Sequence, residues 1–149
     1  MAHAIALETK NYTGPVDLSD ARTRKQMSAA GFKAFVRVME AWRISQADAA
    51  SLLGGMSLAT YKRNVSRVNT NNKTIALDQD ELTRISLFLG IIKSLRILFG
   101  RENADNWFTQ KNSGDLFNGR SPLEFVQSGG IIALDQVRQL IDAQRGYLT

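Results

Sequence analysis

The chain contains no cysteine and a single histidine, His3, among its 149 residues. Without cysteine there is no disulfide, thiol nucleophile or cysteine-held metal, and one histidine near the start supports neither a Ser-His-Asp triad nor a zinc site. Long apolar runs are missing too, so no segment is suited to crossing a bilayer as a helix. The opening MAHAIALETK lacks the charged head, apolar stretch and cleavage site of a secretory signal, which places the chain in the cytoplasm as an expectation. No phosphate-cradling glycine loop or nucleophile motif is present. Asp78, Asp80 and Glu81, or Asp105 and Asp115, could in principle pair as acid and base. Helix starts explain most of them, so the sequence assigns no catalytic residue, metal ligand or cofactor.

What is present is helical, and it centres on Ser45 to Val68. Ser45 can cap a short helix with Asp48 in its first turn, and Ala49, Ala50, Leu52 and Leu53 follow as helix formers and core contacts. Gly54 and Gly55 stop it. Ser57 caps a second helix in which Leu58, Tyr61, Val65 and Val68 share an apolar face. The opposite face carries Ala59, Thr60, Arg63, Ser66 and Arg67, with Lys62 and Asn64 at its edges. This is the pattern of a helix-turn-helix, with the second helix presented to a DNA major groove. With Gln46 at the first motif position, Ala50 and Gly54 fall in place and Tyr61 comes one residue late, so the turn is one residue longer than usual. Gln46, Ser57, Thr60, Lys62, Arg63 and Arg67 are the candidate DNA contacts.

Charge is divided in the same way. Residues 1–75 hold eleven Lys or Arg against five Asp or Glu, and residues 76–149 hold eight against nine. The entire excess of positive charge therefore lies beside the motif, as expected if one half meets phosphate and the other meets protein. One recognition helix covers only a few base pairs, so tight binding to double-stranded operator DNA calls for a homodimer or a larger assembly.

Around the motif, residues 1–16 read as a tail. The stretch from Leu18 to Ala30 reads as a helix with Ser19 as a cap and with Arg22, Arg24, Lys25 and the nearby Lys33 available to phosphate, and Gly31 interrupts it. Phe32, Phe35, Val36, Val38, Met39 and Trp42 then keep helical spacing and should form the core beneath the motif. After the polar connector NTNNKT, Asp78 caps a helix of about 20 residues ending at Gly100. Its apolar positions cover well over half its circumference, so burial on two sides is expected, between halves of the chain or in a dimer. The small residues Thr83, Ser86, Gly90 and Ser94 line one strip of it, where a second helix can approach closely or water can lie. A helix from about Asn103 follows, then one opened by Ser121 and Pro122 and closed by Gly129 and Gly130. A final helix turns Ile132, Val137, Leu140 and Ile141 inward and leaves Arg138, Gln139, Asp142 and Arg145 more exposed. The fold class is all-α: a tail at 1–16, a helix-turn-helix domain at 17–75, and a small helical interaction domain at 76–149.

The second half carries a family resemblance. Leu98–Phe99–Gly100, Asn103 to Phe108 with its Trp107–Phe108 pair, Leu116 to Glu124 with Gly119–Arg120–Ser121–Pro122–Leu123, and the closing Gly146–Tyr147 resemble the toxin-binding domain of the Xre/MbcA/ParS antitoxin family. The preceding motif is similar to that family's Xre-like DNA-binding domain, and together the two cover about residues 20–147. The resemblance implies a partner, a RES-domain toxin that consumes NAD and is held inactive by this protein. Arg138, Arg145, Gly146 and Tyr147 at the chain's end then become candidate toxin contacts, because cations and an amphipathic ring suit a site for an anionic dinucleotide. A solvated helix end remains the plainer reading of the same residues. The alternative function is a stand-alone helix-turn-helix regulator whose second half serves dimerisation or another protein.

Overall fold

A computed structural model describes residues 17–70 and 74–146. The expected tail, the adjacent asparagines of the connector and Tyr147 lie outside the described residues. Among the described residues the chain is all-helical: α1 Ala21–Ala41, α2 Gln46–Leu52, α3 Leu58–Val68, α4 Gln79–Phe99, α5 Arg101–Trp107 and α6 Pro122–Gly146.

Asp20, rather than Ser19, caps α1, accepting from the Thr23 amide at 3.1 Å and the Thr23 hydroxyl at 2.7 Å. Those bonds, the side-chain one foremost, hold the Asp20 carboxyl below the usual carboxylate range. Ser19 instead donates to Asp17. Gly31 does not interrupt the helix. A Cβ there would lie 3.8 Å from both Ile85 and Leu82, so α1 is pressed on α4 at this point and tertiary burial outweighs glycine's poor helix propensity. Phe32, Phe35, Val38, Met39 and Trp42 are buried as the spacing requires. α1 ends on a Schellman-type closure in which the Ile44 amide donates to Met39 O at 2.9 Å, and Arg43 takes the left-handed φ of 59° that glycine normally fills.

α4 is the helix on which the rest assembles. Asp78 and Glu81 form a reciprocal capping box, at 2.7 and 2.9 Å. Burial pushes the Glu81 carboxyl above its ordinary value. Leu82, Ile85, Phe88, Leu89, Ile91, Ile92 and Leu95 are all buried. The two-sided burial comes from within one chain, with α1 on one side and α6 on another. At its centre Trp42 of the α1 terminus stacks on Phe108, with ring centroids 4.4 Å apart, and Phe88 meets both edge-on. The buried apolar side chains form one cluster running through both halves.

Gly100, with φ of 78°, turns the chain straight into α5, which therefore starts at Arg101 rather than Asn103. Between α5 and α6 the chain folds back on itself. The Asn112 amide donates to Arg120 O and the Gly119 amide to Asn112 O, which brings Phe117 between Trp107 and Phe125. Arg120 lies over the Phe125 ring at 5.3 Å, and Ser121 with Glu124 forms a second capping box. The Glu124 carboxyl is held below its usual range by those bonds to Ser121.

Gly130, with φ 64° and ψ −149°, divides α6 into two arms. In the second arm Ala133, Leu134, Val137 and Ile141 face inward, whereas Ile132 is 72 % exposed, contrary to expectation. The reason is geometric: Ile132 and Ile141 are nine residues apart, about 180° around an α-helix, so one face cannot hold both.

Candidate nucleic-acid interface and toxin-binding face

The helix-turn-helix consists of α2, a turn through Gly54 and Gly55 with φ of 86° and 90°, and α3. Positive φ at two successive residues is open to glycine at little cost, and this is what swings the chain between the helices. Ser45 caps α2 by accepting from the Asp48 amide at 3.1 Å, and Ser57 caps α3 by accepting from the Thr60 amide at 3.1 Å. Tyr61 fixes α3 to the core. It is 2 % exposed and lies edge-on to Phe32 at 5.3 Å. Burial, with the Glu40 carboxylate adding to it, pushes the Tyr61 hydroxyl up to about 12.

On the outer side of α3, Ala59, Lys62, Arg63, Ser66 and Arg67 are exposed at steps of three, one, three and one, a single helical face. α3 contains no acidic residue, and none of its three cations is in an ion pair among the described residues. Their charge is therefore available to phosphate. Gln46, the first residue of α2, is exposed as well. Thr60 is half-buried and occupied locally: its Oγ1 accepts from Ser57 Oγ at 2.9 Å and from Arg63 Nη2 at 3.2 Å. Two positions differ from the sequence reading. Leu58 is 39 % exposed, since the first residue of a helix has no preceding turn to cover it, and Asn64 is buried, with its amide 4.0 Å from Met56 Sδ. Arg24 is not available to phosphate in the way its neighbours are, because its Nη1 donates to Leu18 O and Ser19 O, both at 2.8 Å. Arg22, Lys25 and Lys33 are exposed.

In the second half, the small-residue strip of α4 receives the second arm of α6. The Arg138 guanidinium lies where a Cβ of Gly90 would be, and it is held by Asp142 at 2.9 Å. Ser94 donates to Asp142 at 3.3 Å and lies 3.5 Å from Arg145 Nη1. Two candidate toxin contacts, Arg138 and Arg145, are thus brought together along α4, and Gly146 ends the arm. Four of the five carboxylates that might have suggested catalysis have structural partners: Asp78 and Glu81 cap α4, Asp80 pairs with Arg84, and Asp105 accepts a forked bond from Arg96, while Asp115 is exposed.

The two regions touch. Gln127 Nε2 in the first arm of α6 donates to Asp48 Oδ1 in α2 at 3.1 Å. The glycine turn sits on α4, where a Cβ at Gly54 would come within 2.8 Å of Asp80 Oδ2. Sequence reasoning missed both contacts, as it missed the bond from the Leu77 amide to Ser28 Oγ at 3.0 Å, because each links segments far apart in the chain and leaves no periodic trace.

Residues 21–90 match the model of the antitoxin Xre-like helix-turn-helix domain, and residues 94–146 match that of the antitoxin Xre/MbcA/ParS C-terminal toxin-binding domain. The chain belongs to the Xre/MbcA/ParS antitoxin family. This antitoxin is 36 % identical over 135 residues to the uncharacterized protein y4oB of Sinorhizobium fredii (strain NBRC 101917 / NGR234), an alignment covering 90 % of the antitoxin and 98 % of the relative. The family is regulatory rather than enzymatic. The two matched regions meet within α4 of the antitoxin, between residues 90 and 94.

Proposed function

We propose that this antitoxin neutralises a RES-domain toxin that consumes NAD, and that as a homodimer it represses their shared operon by binding operator DNA. The observation that carries the reading is the succession, in one chain, of a helix-turn-helix match and a toxin-binding match. The unpaired cations on α3 support DNA binding, and the order of the Trp107–Phe108, Gly119–Arg120–Ser121–Pro122 and Gly146–Tyr147 elements supports a RES-type partner. Domains divided near residue 75 would assign DNA to the basic half and the toxin to the other. The candidate toxin contacts are Arg138, Arg145, Gly146 and Tyr147, and the operator is an inverted repeat with half-sites about 10 base pairs, or a multiple, apart.

Co-expression with the adjacent reading frame tests it. Growth rescue, copurification and suppression of NAD consumption are expected. Deleting residues 144–149 should abolish protection and spare DNA binding, with Arg145→Ala giving part of the loss. Equal inhibition by full-length and truncated protein would place the inhibitory surface elsewhere. No rescue and no copurification, with operator binding intact, would favour a stand-alone regulator.

A further inference from the structure

Three of the candidate DNA contacts form a connected chain at the leading end of α3. The Ser57 hydroxyl accepts from the Thr60 amide at 3.1 Å and donates to Thr60 Oγ1 at 2.9 Å, and Arg63 Nη2 donates to that same Oγ1 at 3.2 Å. We propose that Thr60 is a positioning residue for operator recognition, holding the Arg63 guanidinium for base reading while making no base contact itself. The proposal rests on the DNA-binding reading and assigns its parts to different side chains.

The physical case starts from the arginine. A solvent-exposed Arg has rotamer entropy to lose when a base fixes it, and a bond formed beforehand reduces what is lost on binding. Side chains on an α-helix lean toward its N-terminus, so an Arg63 bonded to Thr60 is folded toward the end of α3 that enters a major groove. One guanidinium nitrogen is engaged by Thr60, and the remaining N–H groups stay available for the paired acceptors O6 and N7 of guanine. Thr60 in turn is fixed by the helix cap, since both its amide and its hydroxyl meet Ser57 Oγ. Arg67 has no such hydroxyl one turn before it: the residues three and four positions earlier are Asn64, which is buried, and Arg63 itself. Lys62, preceded at those positions by Ala59 and Leu58, has none either, so Arg67 and Lys62 act as phosphate charges that set affinity, and Arg63 sets sequence.

The test uses the full-length protein and two probes, a duplex it selects from a random-sequence pool and the same duplex scrambled, over a series of salt concentrations. Thr60→Val keeps the side-chain shape and removes the acceptor. It should lower the preference for the selected duplex about 10-fold, a typical value for one base-reading pair, while leaving scrambled-duplex affinity and the salt slope unchanged. Thr60→Ser should restore the preference, and Thr60→Val placed on Arg63→Ala should cost nothing more. Arg67→Ala should weaken both duplexes alike and reduce the salt slope by about one. Undiminished preference in Thr60→Val, or a loss fully additive with Arg63→Ala, would overturn the positioning role and leave DNA recognition standing. Failure to select any duplex, or full preference in Arg63→Ala, would overturn the DNA-reading assignment of α3 and this proposal with it.

Discussion

Replacing Ser28 with Ala should destabilise the antitoxin although Ser28 is none of the proposed DNA or toxin contacts. Ser28 is fully buried in α1, where its hydroxyl donates to Arg24 O at 2.6 Å and accepts from the Leu77 amide at 3.0 Å. The second bond ties the chain entering α4 to the back of α1. Alanine removes the acceptor and strands the Leu77 N–H, a loss of about 1–3 kcal/mol for a buried unsatisfied group. Against this, alanine is about 0.5 kcal/mol the better helix former, and the Arg24 carbonyl retains its helical partner. The net is a destabilisation of about 0.5–2.5 kcal/mol, which lowers the Tm by about 1–8 °C in a chain of this size. Urea unfolding followed by far-UV circular dichroism should show a lower midpoint with an unchanged slope, and hydrogen exchange should quicken at the Leu77 amide. A loss below about 0.5 kcal/mol together with unchanged exchange at Leu77 would refute the reasoning, since the amide would then have another partner.

Gly31→Ala should stabilise by about 0.5–1 kcal/mol in a thermal melt, because the new methyl meets Ile85 and Leu82 at 3.8 Å, ordinary contact distance, and alanine propagates the helix better; any loss would show that the α1–α4 contact is tighter than this. Arg43→Gly should also stabilise, by up to about 1 kcal/mol, since relief of a left-handed φ of 59° outweighs glycine's added freedom in the unfolded chain; a lower Tm would mean that the Arg43 side chain contributes more than its strain costs. Gly54→Ala should cost about 1–2 kcal/mol, from φ of 86° and a Cβ only 2.8 Å from Asp80 Oδ2, and should weaken DNA binding by disturbing the turn; unchanged melting would remove the turn's dependence on glycine. For pH, the Glu81 carboxyl is raised above its ordinary 4.5 chiefly by burial, so the folded chain holds that proton more tightly and stability falls as pH rises from the ordinary value through the folded one. Glu81→Gln, which still offers an acceptor to the Asp78 amide, should flatten that part of the stability profile, and an identical profile would remove Glu81 from it.

Local chemistry was legible and long-range contact was not. Ser45, Ser57, Asp78 and Ser121 all cap the helices the sequence assigned to them, because a cap depends on residues three positions away. The outward cations of α3 were legible for the same reason, since helical period alone fixes their face. Gly31 and Asn64 mislead because tertiary packing decides each one: α4 carries the helix across Gly31, and the Met56 side chain meets Asn64. Ile132 was legible from the helical period, which sets it opposite Ile141. Trp107 and Phe117 were readable as a family motif but not as a contact. Only the backbone pairing of Asn112 with Gly119 and Arg120 brings their rings within 5.6 Å.

The deeper consequence of the fold lies in α4, which belongs to both matched domains at once. Its first turns support the recognition motif, with Asp80 and Arg84 against the Gly54 turn, and its later turns hold Arg138 and Arg145 of α6 over Gly90 and Ser94. At about 1.5 Å per residue the ten-residue step from Asp80 to Gly90, or from Arg84 to Ser94, is roughly 15 Å, so the two sets of contacts are held apart along one unbroken helix. The first arm of α6 closes the same circuit from the other side through Gln127 and Asp48. Trp42, Phe88 and Phe108 fill the space between, each taken from a different part of the chain. A cavity made there removes stacking shared by α1, α4 and the end of α5, so it should weaken DNA binding and toxin neutralisation together, whereas loss of an outward α3 cation should affect only the first.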